Sequence, residues 1–322
     1  AETIVIKGDI TTEIDADNGN ENDSIALNGK VVIDGGNRTL TTAGGDGVSF
    51  AETLDSTAGE DNNLTISTGA GAVTFTGNIG TASATSFLGT LAVNTGSETG
   101  NITFTGDVGT TSAAGATILN IGNADTHTLT INGEAYNVAG TSNAQTYTAD
   151  RFVIGDATPE FITDAGNFSM VDGASAQIVL GVGDDFSVDT GANGGNIDIA
   201  PRIIGTDGEG DSVIRLDAGS GTLTLDNTTG DLISTDIGNV TLIGSTITLS
   251  NDIVSDTGNI DIEATQALGF ADGVVPTQGG LPFSAGGRFL GGIGVSGADS
   301  ATDEECAQAG IDSVADDLEF AE

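Results

Sequence analysis

The chain has 322 residues, and 50 of them are Gly, about one in six against a norm of about one in fourteen. Asp and Glu number 47 and Lys and Arg only 7, a net charge of −40, which excludes nucleic acid and anionic membrane surfaces as expected partners. About a quarter of the residues are Leu, Ile, Val or Phe, enough apolar surface for a folded core. One His, one Cys and one Met leave few side chains for catalysis, so we expect no enzyme.

The start of the sequence predicts a strand at a mature N-terminus. A small first residue, Ala1, precedes the alternating sequence TIVI at 3–6, with no basic region or apolar signal core. Such a start is typical of a chain whose signal peptide has been removed. We therefore expect a secreted protein, outside the cell or on its surface, with no membrane span.

Two acidic segments alternate oxygen-bearing side chains around glycine, as calcium loops do. They lie at 15–23 and 206–211, and a third acidic cluster contains Asp184, Asp185 and Asp189. Ca²⁺ takes six to eight oxygen ligands, which such turns supply, although Asp and Asn also favour solvated turns that bind nothing. A calcium site and a solvated acidic turn both stay open, and Ca²⁺ is the only cofactor that the sequence suggests. The candidate calcium ligands are Asp15, Asp17, Glu21, Asp23, Asp207, Glu209 and Asp211.

Short alternating runs of β-branched and apolar residues recur before residue 270, each bounded by Gly, Asn, Asp or Ser. This pattern predicts an all-β fold. GAVTFTGNIGT at 71–81 returns as GNITFTGDVGT at 100–110, and NITFTG at 101–106 is followed by the similar TLTING at 128–133. We interpret Gly-Asn as a corner and the following apolar residues as inward-facing members of a ladder. The predicted ladder residues include Ile102, Phe104, Ile260 and Ile262.

The spacing of these phrases favours a parallel β-solenoid. TLTL, VTLI and NIDI start at positions 222, 240 and 259, which predicts coils of about 18 to 20 residues. A Gly-rich β-sandwich is the alternative, because it also has short strands and frequent turns. Residues 134–194 are less regular and are predicted to be an insertion or an irregular side module.

The repeats at 60–265 resemble those of filamentous-haemagglutinin-type secreted bacterial surface proteins. The likeness lies in the two phrases at 71–81 and 100–110, and in GNVTLIGSTITLSNDI and GNIDIEA. It implies a right-handed β-helix on a cell surface or in a filament. A calcium-dependent adhesin and a polysaccharide-degrading β-helix enzyme remain alternative functions.

The tail at 270–322 differs in composition and predicts a β-hairpin followed by a helix. The predicted strands lie at 280–283 and 288–295, joined by a Gly-rich turn. Ser300 and Asp303 fit a helix capping box. The apolar face of the helix is predicted to contain Ala307, Ile311, Val314 and Leu318.

This tail resembles the final hairpin and helix of the GlcG/HbpS-like haem-binding family. The likeness lies in GGLP at 279–282, GIGVSG at 292–297 and DEECAQAGI at 303–311. It implies the local structure only, because the part of that domain expected to contact haem has no counterpart here.

We therefore predict N-terminal strands at 1–58, solenoid repeats at 59–269 and a tail module at 270–322. The expected function is that of a non-enzymatic subunit of an extracellular filament, sheath or surface layer, whose partners are other copies and, as further candidates, glycans or surface proteins. His127 is predicted to be a surface strand residue and Cys306 a partly buried helix residue. The residues predicted to form the head-to-tail junction are Thr3, Val5, Ile10, Ile14, Leu281, Phe283, Phe289, Ile293, Ile311, Val314 and Leu318.

Overall fold

The computed structural model describes most of the chain, in two compact units. The described residues are 2–12, 23–139, 144–155, 158–171, 175–191, 194–206, 208, 210–227, 229–270, 280–285, 288–294 and 305–313. The first unit is Ala1–Ala271 and the second is Asp272–Glu322.

The described residues form 29 strands and one short helix. In the first unit the strands are β1 (Thr3–Ile6), β2 (Ile10–Thr11), β3 (Ile25–Leu27), β4 (Lys30–Ile33), β5 (Arg38–Thr41), β6 (Val48–Phe50), β7 (Leu54–Ser56), β8 (Leu64–Ser67), β9 (Val73–Phe75), β10 (Leu88–Val93), β11 (Ile102–Phe104), β12 (Ala116–Gly122), β13 (Thr128–Ile131), β14 (Ala135–Val138), β15 (Ala144–Thr148), β16 (Arg151–Ile154), β17 (Glu160–Thr163), β18 (Asn167–Val171), β19 (Gln177–Leu180), β20 (Phe186–Asp189), β21 (Ile197–Ile199), β22 (Arg202–Ile204), β23 (Ser212–Asp217), β24 (Thr222–Leu225), β25 (Ile233–Ser234), β26 (Ile237–Leu249) and β27 (Ile260–Phe270). The second unit contains β28 (Gly280–Ala285), β29 (Arg288–Gly294) and helix α1 at 305–313.

The first unit is a β-solenoid with three strand positions in each coil, which we call faces 1, 2 and 3 in chain order. β1, β2 and β3 begin the three faces, and each later coil adds one strand or one bridging residue to each face. β26 and β27 are long enough to cover faces 1 and 2 in succession. Every strand pair in this unit is parallel, so the solenoid prediction is confirmed and the β-sandwich alternative is wrong.

Each face presents an uninterrupted apolar ladder to the interior. The face 1 ladder is buried except at its two ends, Ile4 and Ile262, which are half-buried. Because successive strands are about 4.8 Å apart, each side chain packs directly on its neighbours above and below. The face 1 ladder is Ile4, Val31, Leu54, Ile79, Val108, Tyr136, Phe161, Val188, Leu216, Leu242 and Ile262. The face 2 ladder is Ile10, Leu40, Ile66, Val93, Ile121, Tyr147, Met170, Ile199, Leu225 and Leu249. The face 3 ladder is Ile25, Val48, Val73, Ile102, Leu129, Phe152, Ile178, Ile203, Ile233 and Ile253.

Coil length varies more than the sequence predicts. The repeats that link 71–81 to 100–110 and 101–106 to 128–133 each span one coil, because Ile102 pairs with Val73 on one side and with Leu129 on the other. The predicted coil of about 18 to 20 residues is therefore wrong for most of the chain. On face 3 the shortest coil runs from Ile233 to Ile253 and the longest from Ile203 to Ile233. TLTL at 222–225 lies on face 2 and pairs with 246–249, whereas VTLI at 240–243 lies on face 1.

The described residues between 134 and 194 are part of the solenoid and not an insertion. Their strands, β14 to β20, occupy all three faces in order and pair with the coils before and after them. The sequence of this segment departs from the repeated phrases because large side chains fill the interior here. The rings of Tyr136 and Phe161, for example, stack with their centroids 5.0 Å apart. A buried amide, Gln145, is also accommodated: its Nε2 donates to the carbonyl of Tyr136, and the Tyr147 hydroxyl donates to its Oε1.

The Gly-Asn phrase acts as a contact between coils. A Cβ on Gly195 would lie 1.7 Å from the carbonyl oxygen of Gly166, and one on Gly221 would lie 2.1 Å from that of Gly195. Glycine is therefore required at these two positions by close backbone approach and not by a positive φ. The following asparagine connects the coils, because Asn196 N–H donates to Asn167 Oδ1 and Asn196 Oδ1 accepts from Thr222 N–H, both at 2.9 Å.

The second unit contains the predicted hairpin and helix. β28 and β29 are antiparallel, with Gly280 opposite Gly294 and Ala285 opposite Arg288. In α1, Ala307 is buried and Ile311 is half-buried, as expected for its apolar face. Ser300, Asp303, Val314 and Leu318 lie outside the described residues.

The close approach of Gly166, Gly195 and Gly221 on successive coils, which we call the glycine column, predicts the effect of a substitution on stability. Gly195→Ala places a methyl group against backbone, so we expect the free energy of unfolding to fall by about 1 to 3 kcal/mol. The control is Gly45→Ala, because a Cβ there meets nothing within 4 Å, and we expect a change within about 0.5 kcal/mol. Urea unfolding followed by circular dichroism measures both, and equal losses would contradict the explanation.

Candidate self-association surfaces

The N-terminal edge of the solenoid is formed by β1, β2 and β3. Among the described residues these strands pair on one side only, with β4, β5 and β6. Thr3 is exposed and Val5 is 49% exposed, while Ile4 and Ile10 are half-buried at the ends of their ladders. An apolar strand edge of this kind is a template for further strand pairing.

The C-terminal edge of the solenoid is β27, whose only strand partner among the described residues is β26. Ile260 is 43% exposed and Ile262 is half-buried, although their partners Val240 and Leu242 are fully buried. Ile260 and Ile262 therefore continue the predicted ladders, and they are partly exposed because no described strand pairs with the other side of β27. Ile4 lies in the predicted strand at 3–6, between the selected association residues Thr3 and Val5. Ile260 and Ile262 were predicted as ladder residues but were not selected as association residues.

The backbone donors and acceptors of the two edges are complementary. On face 1 the inward residues donate to the following coil: Val31 N–H donates to the carbonyl of Thr53 at 2.7 Å, and Val240 N–H to that of Asn259 at 2.9 Å. Because alternate residues of a parallel strand bond to opposite neighbours, Ile262 directs its N–H and C=O toward the side of β27 on which no described strand pairs. By the same alternation Thr3 and Val5 direct theirs toward the open N-terminal edge.

The two edges also differ in charge. Lys7, Lys30 and Arg38 lie in the first two coils, whereas the sequence contains no Lys or Arg between Arg215 and Arg288. Lys7 Nζ lies 2.8 Å from Asp34 Oδ2, and this hydrogen bond raises the pKa of Lys7 and lowers the pKa of Asp34. Lys7 is exposed and Asp34 is half-buried, and a surface ion pair of this kind contributes little to stability. The last coil bears only acidic charges, from Asp252, Asp256, Asp261 and Glu263.

The predicted association residues of the tail are placed only in part. Leu281 and Phe283 lie on β28, and Phe289 and Ile293 on β29. Ile311 lies on α1, and Ile14, Val314 and Leu318 fall outside the described residues. Participation of the tail in a junction therefore stays a prediction.

The calcium prediction is likewise untested. Asp23 and Asp211 are the two proposed ligands that the structure describes, and its described part contains no group of three His, Cys, Asp or Glu side chains placed to hold a metal. In the third acidic cluster the carboxylates accept backbone hydrogen bonds: Asp184 from Gly181, Asp185 from Val213 and Asp189 from Gly191. These contacts are those expected of turn-stabilising residues.

The single histidine and the single cysteine lie far apart in sequence and in different units. His127 is exposed immediately before β13, and its Nδ1 lies 2.7 Å from the carbonyl oxygen of Thr99. Cys306 is exposed on α1, so its predicted partial burial is wrong. The neighbouring Ala307 is the residue that faces inward.

Comparison with known proteins identifies one related segment. A family model described as haem degrading protein HbpS-like matches residues 241–312, about a fifth of the chain, from β26 through the hairpin into α1. This match supports the resemblance of the tail to that family. No curated protein and no solved structure matches the chain, so the resemblance to filamentous-haemagglutinin-type proteins stays a prediction. Among the described residues, no helix is long and apolar enough to cross a bilayer.

On the outside of face 2, desolvation and a neighbouring carboxylate disfavour the charged form of one aspartate, Asp198. Asp198 lies in the outward row between Ser169 and Thr224. Desolvation, followed by the negative charge of Asp226, raises its pKa above that of an ordinary aspartate. A raised carboxyl pKa means that the charged form is disfavoured in the folded state.

This raised pKa predicts a pH-dependent gain in stability on removing the charge. Asp198→Asn should raise the melting temperature at pH 7, where the folded wild-type protein holds a disfavoured charge at this position. The gain should shrink as the pH falls through the raised pKa of folded Asp198 toward its pKa in the unfolded chain, because wild-type Asp198 then becomes neutral as well. Asp226→Asn should relieve part of the same repulsion, so the double variant should gain less than the two single gains added. Calorimetry from pH 3 to pH 8 tests this, and a gain independent of pH would contradict it.

Proposed function

We propose that the chain is a non-enzymatic structural subunit of an extracellular filament, sheath or surface layer, in which copies associate head to tail through the ends of the solenoid. The observation that supports this proposal is the pair of open edges. The apolar ladders end at these two edges, and the face 1 ladder residues that lie between the edges are buried. At each edge, backbone donors and acceptors have no strand partner among the described residues. The two edges differ, so their association is heterologous and generates an open chain of subunits.

The burial of both tyrosines and of the single methionine also supports a structural role. Tyr136, Tyr147 and Met170 are fully buried members of the ladders. Burial raises the pKa of Tyr147 and that of Tyr136, which keeps both phenols neutral. These side chains stabilise the interior and do not reach a substrate.

The haem-related name of the matched family does not lead us to propose haem chemistry. The matched segment, 241–312, contains no His and no Met, and its one Cys is Cys306. We propose instead that this module provides a second attachment between neighbouring subunits.

If copies associate head to tail, the protein should form polymers through its N-terminal edge, where β1 lies. Lys30 N–H donates to the Glu2 carbonyl and Asp34 N–H to the Ile6 carbonyl, so Val5 N–H lies on the open side of β1. Purified full-length protein should form polymers visible by negative-stain electron microscopy, and Val5→Pro should abolish them by removing that donor.

The matched control is Val5→Thr, which keeps the N–H, and its polymers should persist. Circular dichroism should be the same for both variants, because Val5 N–H is not used in pairing with β4. A monodisperse monomer at high protein concentration and physiological salt would contradict the proposed function.

A further inference from the structure

We infer that the junction between copies continues the ladders in register, with Ile262 of β27 opposite Ile4 of the next copy. This inference rests on the proposed head-to-tail association and specifies its contact. Ile4 and Ile262 are the first and last members of one face 1 ladder, and both are half-buried where every residue between them is buried. A second copy stacked in this register completes the burial of both.

The hydrogen bonding of the solenoid supports this register. Within the chain an inward residue of face 1 donates its N–H to the carbonyl of the residue before its ladder partner. Leu54, the partner of Ile79, donates to Asn78 at 3.0 Å, and the same rule holds for the next two coils. Applied to the junction, Ile262 N–H donates to the carbonyl of Thr3 in the next copy, which is an acceptor on its open edge.

A second face supports the same alignment. The face 2 ladder begins at Ile10 in the first coil. At its other end, Phe270 of β27 is the backbone pairing partner of Leu249. One copy placed behind another therefore extends faces 1 and 2 together, which fixes the orientation of the junction as well as its register. A rotated or antiparallel contact extends neither face.

The outward rows at this junction avoid repulsion. With Ile262 opposite Ile4, the exposed acids Asp261 and Glu263 stack on Thr3 and Val5 of the next copy, which are uncharged. Within each of these pairs no carboxylate meets another. In a protein of net charge −40, a contact without facing carboxylates is a condition for association.

Disulfide trapping tests the register with two aligned and two shifted cysteine pairs. In a Cys306→Ser background, the aligned pairs are Val5→Cys with Glu263→Cys, and Thr3→Cys with Asp261→Cys. Their Cα atoms should lie about 4.8 Å apart across the junction, within the range that a disulfide spans. The shifted pairs combine the same cysteines as 5 with 261 and 3 with 263, and lie about 8 Å apart, which is too far. The two cysteines of one chain are separated by ten strand steps, about 48 Å, so any disulfide between them joins different copies.

The expected result is a ladder of covalent dimers, trimers and higher multimers for both aligned pairs on a non-reducing gel, and mainly monomer for both shifted pairs. Electron microscopy of the reduced variants shows separately whether each forms polymers. Polymers with cross-links only in the shifted pairs, or in none of the four, would overturn the register while leaving head-to-tail association intact. Absence of polymers in wild type and all variants would overturn both proposals.

Discussion

The structure depends on the close approach of successive backbones, one coil upon the next. Parallel strands at about 4.8 Å bring every inward side chain into contact with the equivalent residue of the neighbouring coils. At the corners this spacing leaves no room for a Cβ, as the 1.7 Å approach at Gly195 shows. Glycine columns therefore permit the stacking, and the asparagines beside them hold it, because Asn196 bonds to the coils before and after it. The apolar ladders follow from that geometry.

Repetition in the sequence predicted the fold because identical phrases occupy equivalent positions. Thr74 and Thr103 belong to the repeated phrases at 71–81 and 100–110 and pair directly, which the repeat alone suggested. The coil length could not be predicted in the same way, because strand phrases on different faces look alike. TLTL at 222–225 and VTLI at 240–243 lie on different faces, and nothing in either phrase marks its face. Corner loops also differ in length without disturbing the ladders.

The segment at 134–194 shows a second limit of sequence patterns. Its aromatic residues and its buried Gln145 break the Ile/Val alternation, yet each occupies an inward position, because neighbouring rings and amides pack and bond inside the coil. At the candidate junction, Thr3, Val5 and Ile10 were predictable from their strand pattern. Ile262 was not selected, because exposure at the end of a ladder depends on which strand has no further neighbour, and local sequence does not contain that information.

Among the described residues, the ladder residues at both ends of the solenoid are partly exposed, whereas those between them are buried. The proposed association extends to neighbouring copies the same packing that stacks coils within one copy. The most direct measurement of this claim is a cryo-electron microscopy reconstruction of the polymer formed by the full chain. We expect β27 of one copy to lie beside β1 of the next at the ordinary strand spacing of about 4.8 Å, with Ile262 facing Ile4 and no break in the ladder. Subunits joined through the outer faces of the solenoid, with both edges open to solvent, would contradict it.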